Sequence, residues 1–188
     1  MTNHSSEGTA CAVMTIGHST RTLETFIHLL QVHGVKQVVD VRTVPRSRHN
    51  PQFNRETLPD DLKFVGIQYL HMSGLGGLRH ARPDSENAGW HNASFRGFAD
   101  YMGTPEFENH LGELIQLAQH KRIGLMCAEA LPWRCHRSLI ADALEARGIK
   151  VVHILDSTHL QPHRMTPFAK VIGTHLVYPP EKTLIPLS

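Results

Sequence analysis

Residues 123–155 read IGLMCAEALPWRCHRSLIADALEARGIKVVHIL, and this stretch decides the fold. Ile123 to Met126 is a short apolar run of strand length. Ser138 to Ala146 carries Leu139, Ile140, Ala143 and Leu144 at helical spacing, the helix extends to Arg147, and Gly148 is its stop. Ile149 to Leu155 is apolar and β-branched again. Strand, turn, helix and strand make a β–α–β unit, whose two strands lie parallel. The turn between strand and helix is the densest chemistry in the chain. It holds Cys127, Glu129, Arg134, Cys135, His136 and Arg137.

The same rhythm runs back toward the N-terminus. Ala12 to Ile16 reads as a strand, and Thr22 to His33 as a helix with Leu23, Phe26, Ile27 and Leu30 on one face, closed by Gly34. Val35 to Val41 is the next strand, and Val38-Val39 beside Val41 predicts burial on both faces. A helix over Thr57 to Val65 closes at Gly66 and leads into a strand over Ile67 to Leu70. Helices follow over Ser94 to Met102 and Pro105 to His120, with Thr104-Pro105 as N-cap and first helical residue of the latter. The pattern predicts an α/β fold: a single domain with a mainly parallel open sheet and helices on both faces, over residues 12–155. Residues 1–11 are expected to be a disordered leader. Residues 156–188, with Pro162, Pro167, Pro179 and Pro180, are expected to be an irregular extension packing on the domain or on a partner subunit, which leaves an oligomer open.

Composition narrows the class. With 188 residues, 40% of them hydrophobic and 19% charged, the chain can bury a real core in one domain. A net charge of +2 is too small to announce nucleic-acid binding by bulk charge. No apolar run is long enough to cross a bilayer, and Met1 to Ala10 lacks the regions of a signal peptide. Three cysteines argue for a reducing compartment, so a cytoplasmic location without membrane contact is expected. Fifteen dispersed histidines enlarge the pool of bases and ligands.

In parallel sheets, ligands sit beyond the carboxyl ends of the strands. Four such ends carry polar or glycine-rich residues. They are Gly17-His18-Ser19-Thr20, Asp40-Val41-Arg42 running on to Arg46-Ser47-Arg48, His71 running on to Gly74-Leu75-Gly76-Gly77-Leu78-Arg79, and Cys127-Ala128-Glu129. Cys127 is the candidate reactive thiol, activated by cations and a helix start, against the plainer reading of a small buried hydrophobe. Glu129 and His18 are its candidate proton-handling partners. Asp40 is either an acid–base group or the partner that orients Arg42. Arg42, Arg48, Arg79 and Arg137 are candidates to grip a phosphate or carboxylate. Gly76 and Gly77 would let backbone amides approach the same anion. Ser19 would touch it, or cap the following helix.

Cys135 reads differently. Counting back from Leu139 by a helical turn puts it on the packing face, so it is expected in the core rather than facing Cys127. The two cysteines are too far apart for a usual zinc pair, and His18 or His71 would have to complete a site that no short motif connects. The phosphatase spacing also fails, because it needs five residues between cysteine and arginine, Trp133 stands at that place and Arg134 comes one place late. These readings favour an enzyme acting on a phosphate-bearing substrate such as a nucleotide or nucleic acid, with no cofactor or metal assigned. Two rivals remain. One is a non-catalytic nucleic-acid-binding module that stacks bases on Trp90, Phe95 or Trp133. The other is a redox or metal site built from Cys127 and Cys135.

The blocks Gly17-His18-Ser19, Asp40-Val41-Arg42 with Pro45 and Ser47-Arg48, Leu75-Gly76-Gly77, and Cys127-Ala128-Glu129 with Pro132 and Cys135-His136-Arg137 occur in that order. Together they resemble domain of unknown function family 488, from about Thr15 to Ile154. The resemblance implies a small cytosolic α/β domain with a cysteine-bearing motif, and it implies no substrate.

Overall fold

The structure, a computed structural model, describes residues 13–180. The expected leader lies outside them. Six strands form one sheet: β1 (Val13–Gly17), β2 (Gln37–Asp40), β3 (Gln68–His71), β4 (Ile123–Cys127), β5 (Val151–Ile154) and β6 (Leu160–Pro162). Their order across the sheet is β3-β2-β4-β1-β5-β6. All pairings are parallel except β5 with β6. The helices are α1 (Leu23–Val32), α2 (Leu58–Phe64), α3 (Ala93–Met102), α4 (Pro105–His120) and α5 (Arg137–Glu145). The single α/β domain with a mainly parallel sheet is thus as expected.

Alternation along the central strands builds two cores. Val39 and Val41, then Ile123, Leu125 and Cys127, face the layer of α3, α4 and α5. Met14 and Ile16, then Val38 and Met126, face the layer of α1 and α2. A strand side chain turns over every residue, so a run apolar at consecutive positions supplies both layers at once. Helix ends follow local rules. The Thr22 hydroxyl accepts the Thr25 N–H and starts α1, and the Thr104 hydroxyl accepts the Phe107 N–H and starts α4.

Two buried carboxylates tie irregular segments down. Asp100 on α3 accepts from Arg82 N–H, the Ser85 hydroxyl and the Asn87 amide, fixing the stretch ahead of α3. Asp142 on α5 accepts from Tyr178, from the Thr166 N–H and hydroxyl, and from His163 Nε2 at 2.7 Å. The segment after β5, expected to be irregular, therefore carries β6 at the sheet edge and a small hairpin of β7 (Lys170–Ile172) and β8 (His175–Val177).

The topology places the site. The connection leaving β2 runs outward to β3, while the connection leaving its neighbour β4 runs the other way to β5. Connections departing in opposite directions leave a crevice at the carboxyl edge between the two strands.

Candidate functional site

At that crevice the chain opens a cavity of about 350 Å³. Arg42, Thr43 and Val44 wall it from β2, Gly77 and Leu78 from the glycine loop, Phe95 from α3, and Cys127 to Glu129 with Cys135 and His136 from the β4–α5 turn. Its floor is sulfur. Cys127 Sγ and Cys135 Sγ stand 2.8 Å apart, and both are free thiols. Cys127 ends β4 on the α3–α5 side of the sheet. Cys135 is extended, with φ −135° and ψ 146°, and α5 begins only at Arg137. The helical count that assigned Cys135 to packing alone fails for that reason. Cys135 is buried, and it also faces Cys127.

His136 completes the group. Its Nε2 donates to the Val41 carbonyl at 3.2 Å, so in the neutral ring Nδ1 is the bare nitrogen, 3.6 Å from Cys135 Sγ. The ring is held between Phe98, at 5.0 Å between centroids, and the backbone of Gly77. At Gly77 any side chain would strike that ring, and at Gly76 it would strike Thr43. These two glycines thus serve close packing of the loop against the site.

Arg137 lies beneath the turn and is 1% exposed. Its NH2 donates to the carbonyls of Glu129 at 2.7 Å and Ala130 at 3.3 Å. Its Nε has no partner, and no carboxylate among the described residues pairs with it. A buried guanidinium without a counter-ion favours any anion that can form nearby. The thiols supply one. The proton shared with Cys127, then the His136 ring and the charge of Arg137, hold the Cys135 thiol well below its ordinary range. Burial and the same shared proton push Cys127 up. The position of Cys135 just ahead of α5 adds the positive end of that helix. The arrangement thus favours negative charge on Cys135, with Cys127 as the sulfur that keeps its proton.

Arg137→Met is therefore expected to move the pH profile for alkylation of Cys135 by iodoacetamide upward, so that the rate falls at pH values below its midpoint. Arg137→Lys should recover part of the rate. Mass spectrometry of the alkylated cysteine across pH reads the shift, and superimposable pH profiles would refute the role.

The other expected residues divide. Asp40 is fully buried and grips Arg42 through Nε at 2.9 Å and NH2 at 2.6 Å, so it orients Arg42. Arg42 donates on to the Phe53 carbonyl at 2.7 Å and to His18 Nε2 at 3.2 Å. His18 therefore carries its proton on Nδ1, which donates to the Ser19 carbonyl at 2.9 Å. Stacked on Phe53 at 4.3 Å and buried, His18 titrates near 4, lowered chiefly by desolvation. It is placed as a neutral brace for Arg42 and does not line the sulfur cavity. Glu129 is exposed at the rim, and its carbonyl rather than its carboxylate is held by Arg137. Gly17 lets this turn cross β1, since a Cβ there would fall on the Glu129 carbonyl. Ser19 does not cap α1, which Thr22 does. Arg79 lies over the Tyr101 ring at 3.5 Å and donates to the carbonyls of Gly74 and Gly76, bracing the glycine loop. Arg48 is exposed on the loop after β2 and lines none of these walls. Trp90 packs among Phe95, Phe168 and Tyr178, while Trp133 is exposed.

Reasoning from sequence missed Phe53, Tyr69 and Thr43, and set Cys135 and His136 aside. The adjacency of cysteine, histidine and arginine just ahead of a helix was the signal that could have raised the last two. Among the described residues, no three His, Cys, Asp or Glu side chains gather as a metal site would require. No helix there is long and apolar enough to cross a membrane.

Fold and site define an α/β protein with two facing cysteine sulfurs at the carboxyl edge of a parallel sheet. The family model described as domain of unknown function DUF488 matches residues 22–144, and the chain belongs to that family. The match begins after the Gly17-His18-Ser19 block and ends within α5. Searches of curated proteins and of solved structures found no match.

Proposed function

We propose that this protein is a thiol-dependent oxidoreductase whose Cys127–Cys135 pair exchanges with disulfides. The observation that carries the reading is the 2.8 Å approach of two free sulfurs on a cavity floor. A disulfide bond is ~2.05 Å long, so closure needs less than ~1 Å of movement. Cys135 is the attacking group, as thiolates attack and thiols do not.

The exchange balances as follows. The Cys135 thiolate attacks one sulfur of R–S–S–R, giving a Cys135–S–S–R mixed disulfide and releasing RS⁻. Cys127 passes its proton to the first RS⁻ and attacks Cys135 Sγ, releasing the second RS⁻, which takes a proton from water. The substrate is reduced by two electrons, and the protein holds a Cys127–Cys135 disulfide. Excess small thiol reverses both steps and resets the pair.

The expectation of phosphate chemistry on Cys127 is less well supported. Asp40, backbone carbonyls and the Tyr101 ring engage three of the four guanidinium groups it relied on, those of Arg42, Arg137 and Arg79, and Arg48 does not line the sulfur cavity. The test is oxidation of the reduced protein by 2-hydroxyethyl disulfide. Intact mass should fall by about 2 Da, and peptide mapping should link Cys127 to Cys135. Cys135→Ser should give no internal link, whereas Cys127→Ser should stop at the mixed disulfide on Cys135. An unlinked pair after full exposure would refute the function.

A further inference from the structure

The sulfur cavity has a neighbour. Across a common wall that includes Arg42, Ala128 and Glu129 lies a second cavity of about 370 Å³. The first is mostly apolar, with Val44, Leu78 and Phe95 around the sulfurs. The second is lined by Ser19, Thr20, Ser47, Asn50 and Arg46. All five side chains can donate hydrogen bonds. Arg42 adds to them. Asp40, Phe53 and His18 take four of its five N–H groups, and one on NH1 remains. Glu129 is the one carboxylate among the residues of these walls, and it sits at the exposed rim.

The frame of this second cavity is tied down. Ser47 N–H donates to Asn54 Oδ1 at 2.6 Å, Asn50 N–H to Ser47 Oγ at 3.0 Å, and Arg55 N–H to the Pro45 carbonyl at 2.9 Å. Opposite, Ser19 is held at φ 47°, a left-handed conformation that a residue with a side chain adopts at a cost. Its N–H is fixed to the Ala128 carbonyl at 2.9 Å and its carbonyl accepts from His18. Backbone strain held by such over-determination clusters at ligand sites. Donor-rich walls with a guanidinium select an anion, and carboxylate and phosphate share that chemistry.

We propose that the second cavity seats the acidic group of the substrate while its sulfur reaches Cys135, so that the substrate is a small disulfide bearing a carboxylate or phosphate. The proposal rests on the dithiol reading above. It turns that reading from a general thiol exchanger into one that selects by charge at a point away from the sulfur.

Three probe disulfides test it on the reduced full-length chain: 3,3′-dithiodipropionate as the anion, 2-hydroxyethyl disulfide as the neutral probe and cystamine as the cation. Rates of Cys127–Cys135 disulfide formation are divided by each probe's rate with a free-cysteine peptide. The anionic probe is expected to lead the neutral one by roughly tenfold, and cystamine to trail both. Arg46→Ala, a change at an exposed side chain, should bring the anionic probe down to the neutral probe's rate. Inorganic phosphate and acetate, added separately, should slow the anionic probe, and the stronger competitor names the preferred acid. Oxidation by all three probes with no preference for the anion, or a preference that Arg46→Ala leaves intact, overturns this proposal and leaves the dithiol function standing. No oxidation by any probe overturns the dithiol function itself.

Discussion

Replacing Asp40 with alanine is expected to cost the fold about 3–5 kcal/mol. The carboxylate is fully buried and answers four donors: Arg42 Nε, Arg42 NH2, the Arg42 backbone N–H and the Tyr69 hydroxyl at 2.7 Å. Arg42 is itself only 7% exposed. Deleting one partner of a buried pair leaves the other charge in low dielectric with nothing to balance it, and that is the costly case. The damage should also spread, since Arg42 props His18 and the Phe53 carbonyl. Asp40→Asn keeps shape and loses charge, so it should fall between wild type and alanine. Urea unfolding followed by circular dichroism measures both. A loss below about 1 kcal/mol for alanine would show that the pair is not buried as described.

The second large effect is in pH. His18 and His153 are both lowered to about 4, His18 by burial against Phe53 beside Arg42, and His153 by burial next to His163. In the unfolded chain both titrate near 6.5. Between those values the unfolded state binds protons that the native state refuses, so stability falls as pH falls. The stabilisation is complete above about pH 6.5 and is lost progressively toward pH 4, on the order of 3 kcal/mol for each ring. Together they approach the whole stability of an ordinary domain, which is ~5–15 kcal/mol. The urea midpoint should therefore drop steeply from pH 7 to pH 4.5. His153→Gln, which keeps hydrogen-bonding capacity without titrating, should make that slope shallower. A flat midpoint across the interval contradicts both assignments.

Where the sequence carried a local signal, the reading was close. Thr104 and Pro105 mark a helix start by cap chemistry and fixed φ, and α4 runs over Pro105–His120 as expected. The consecutive valines of β2 feed both cores, as their spacing predicted. The misjudged residues had partners that leave no trace in spacing. Arg137 was expected to grip an anion, yet it is held by two main-chain carbonyls, and any sequence supplies carbonyls. Arg79 follows a glycine loop in a phosphate-like setting, but it folds back over Tyr101, a residue of α3. Cys135 lies in the core as expected, and its approach to Cys127 was missed because helical phase was extended two residues past the true start of α5 into extended backbone.

The position of β1 bears on how the chain assembles. Val13–Gly17 comes first in sequence and ends near the middle of the sheet, with Met14 opposite Gly124 on one side and Val13 opposite Val151 on the other. Such distant pairings close large loops and make folding slow. During synthesis, then, β1 emerges well ahead of β4 and β5, with both apolar faces uncovered until they follow. Cys127 and Cys135 stand only 8 residues apart, a far shorter loop to close than the one between β1 and β4, so in an oxidising setting cross-linking of the sulfurs competes with completion of the sheet.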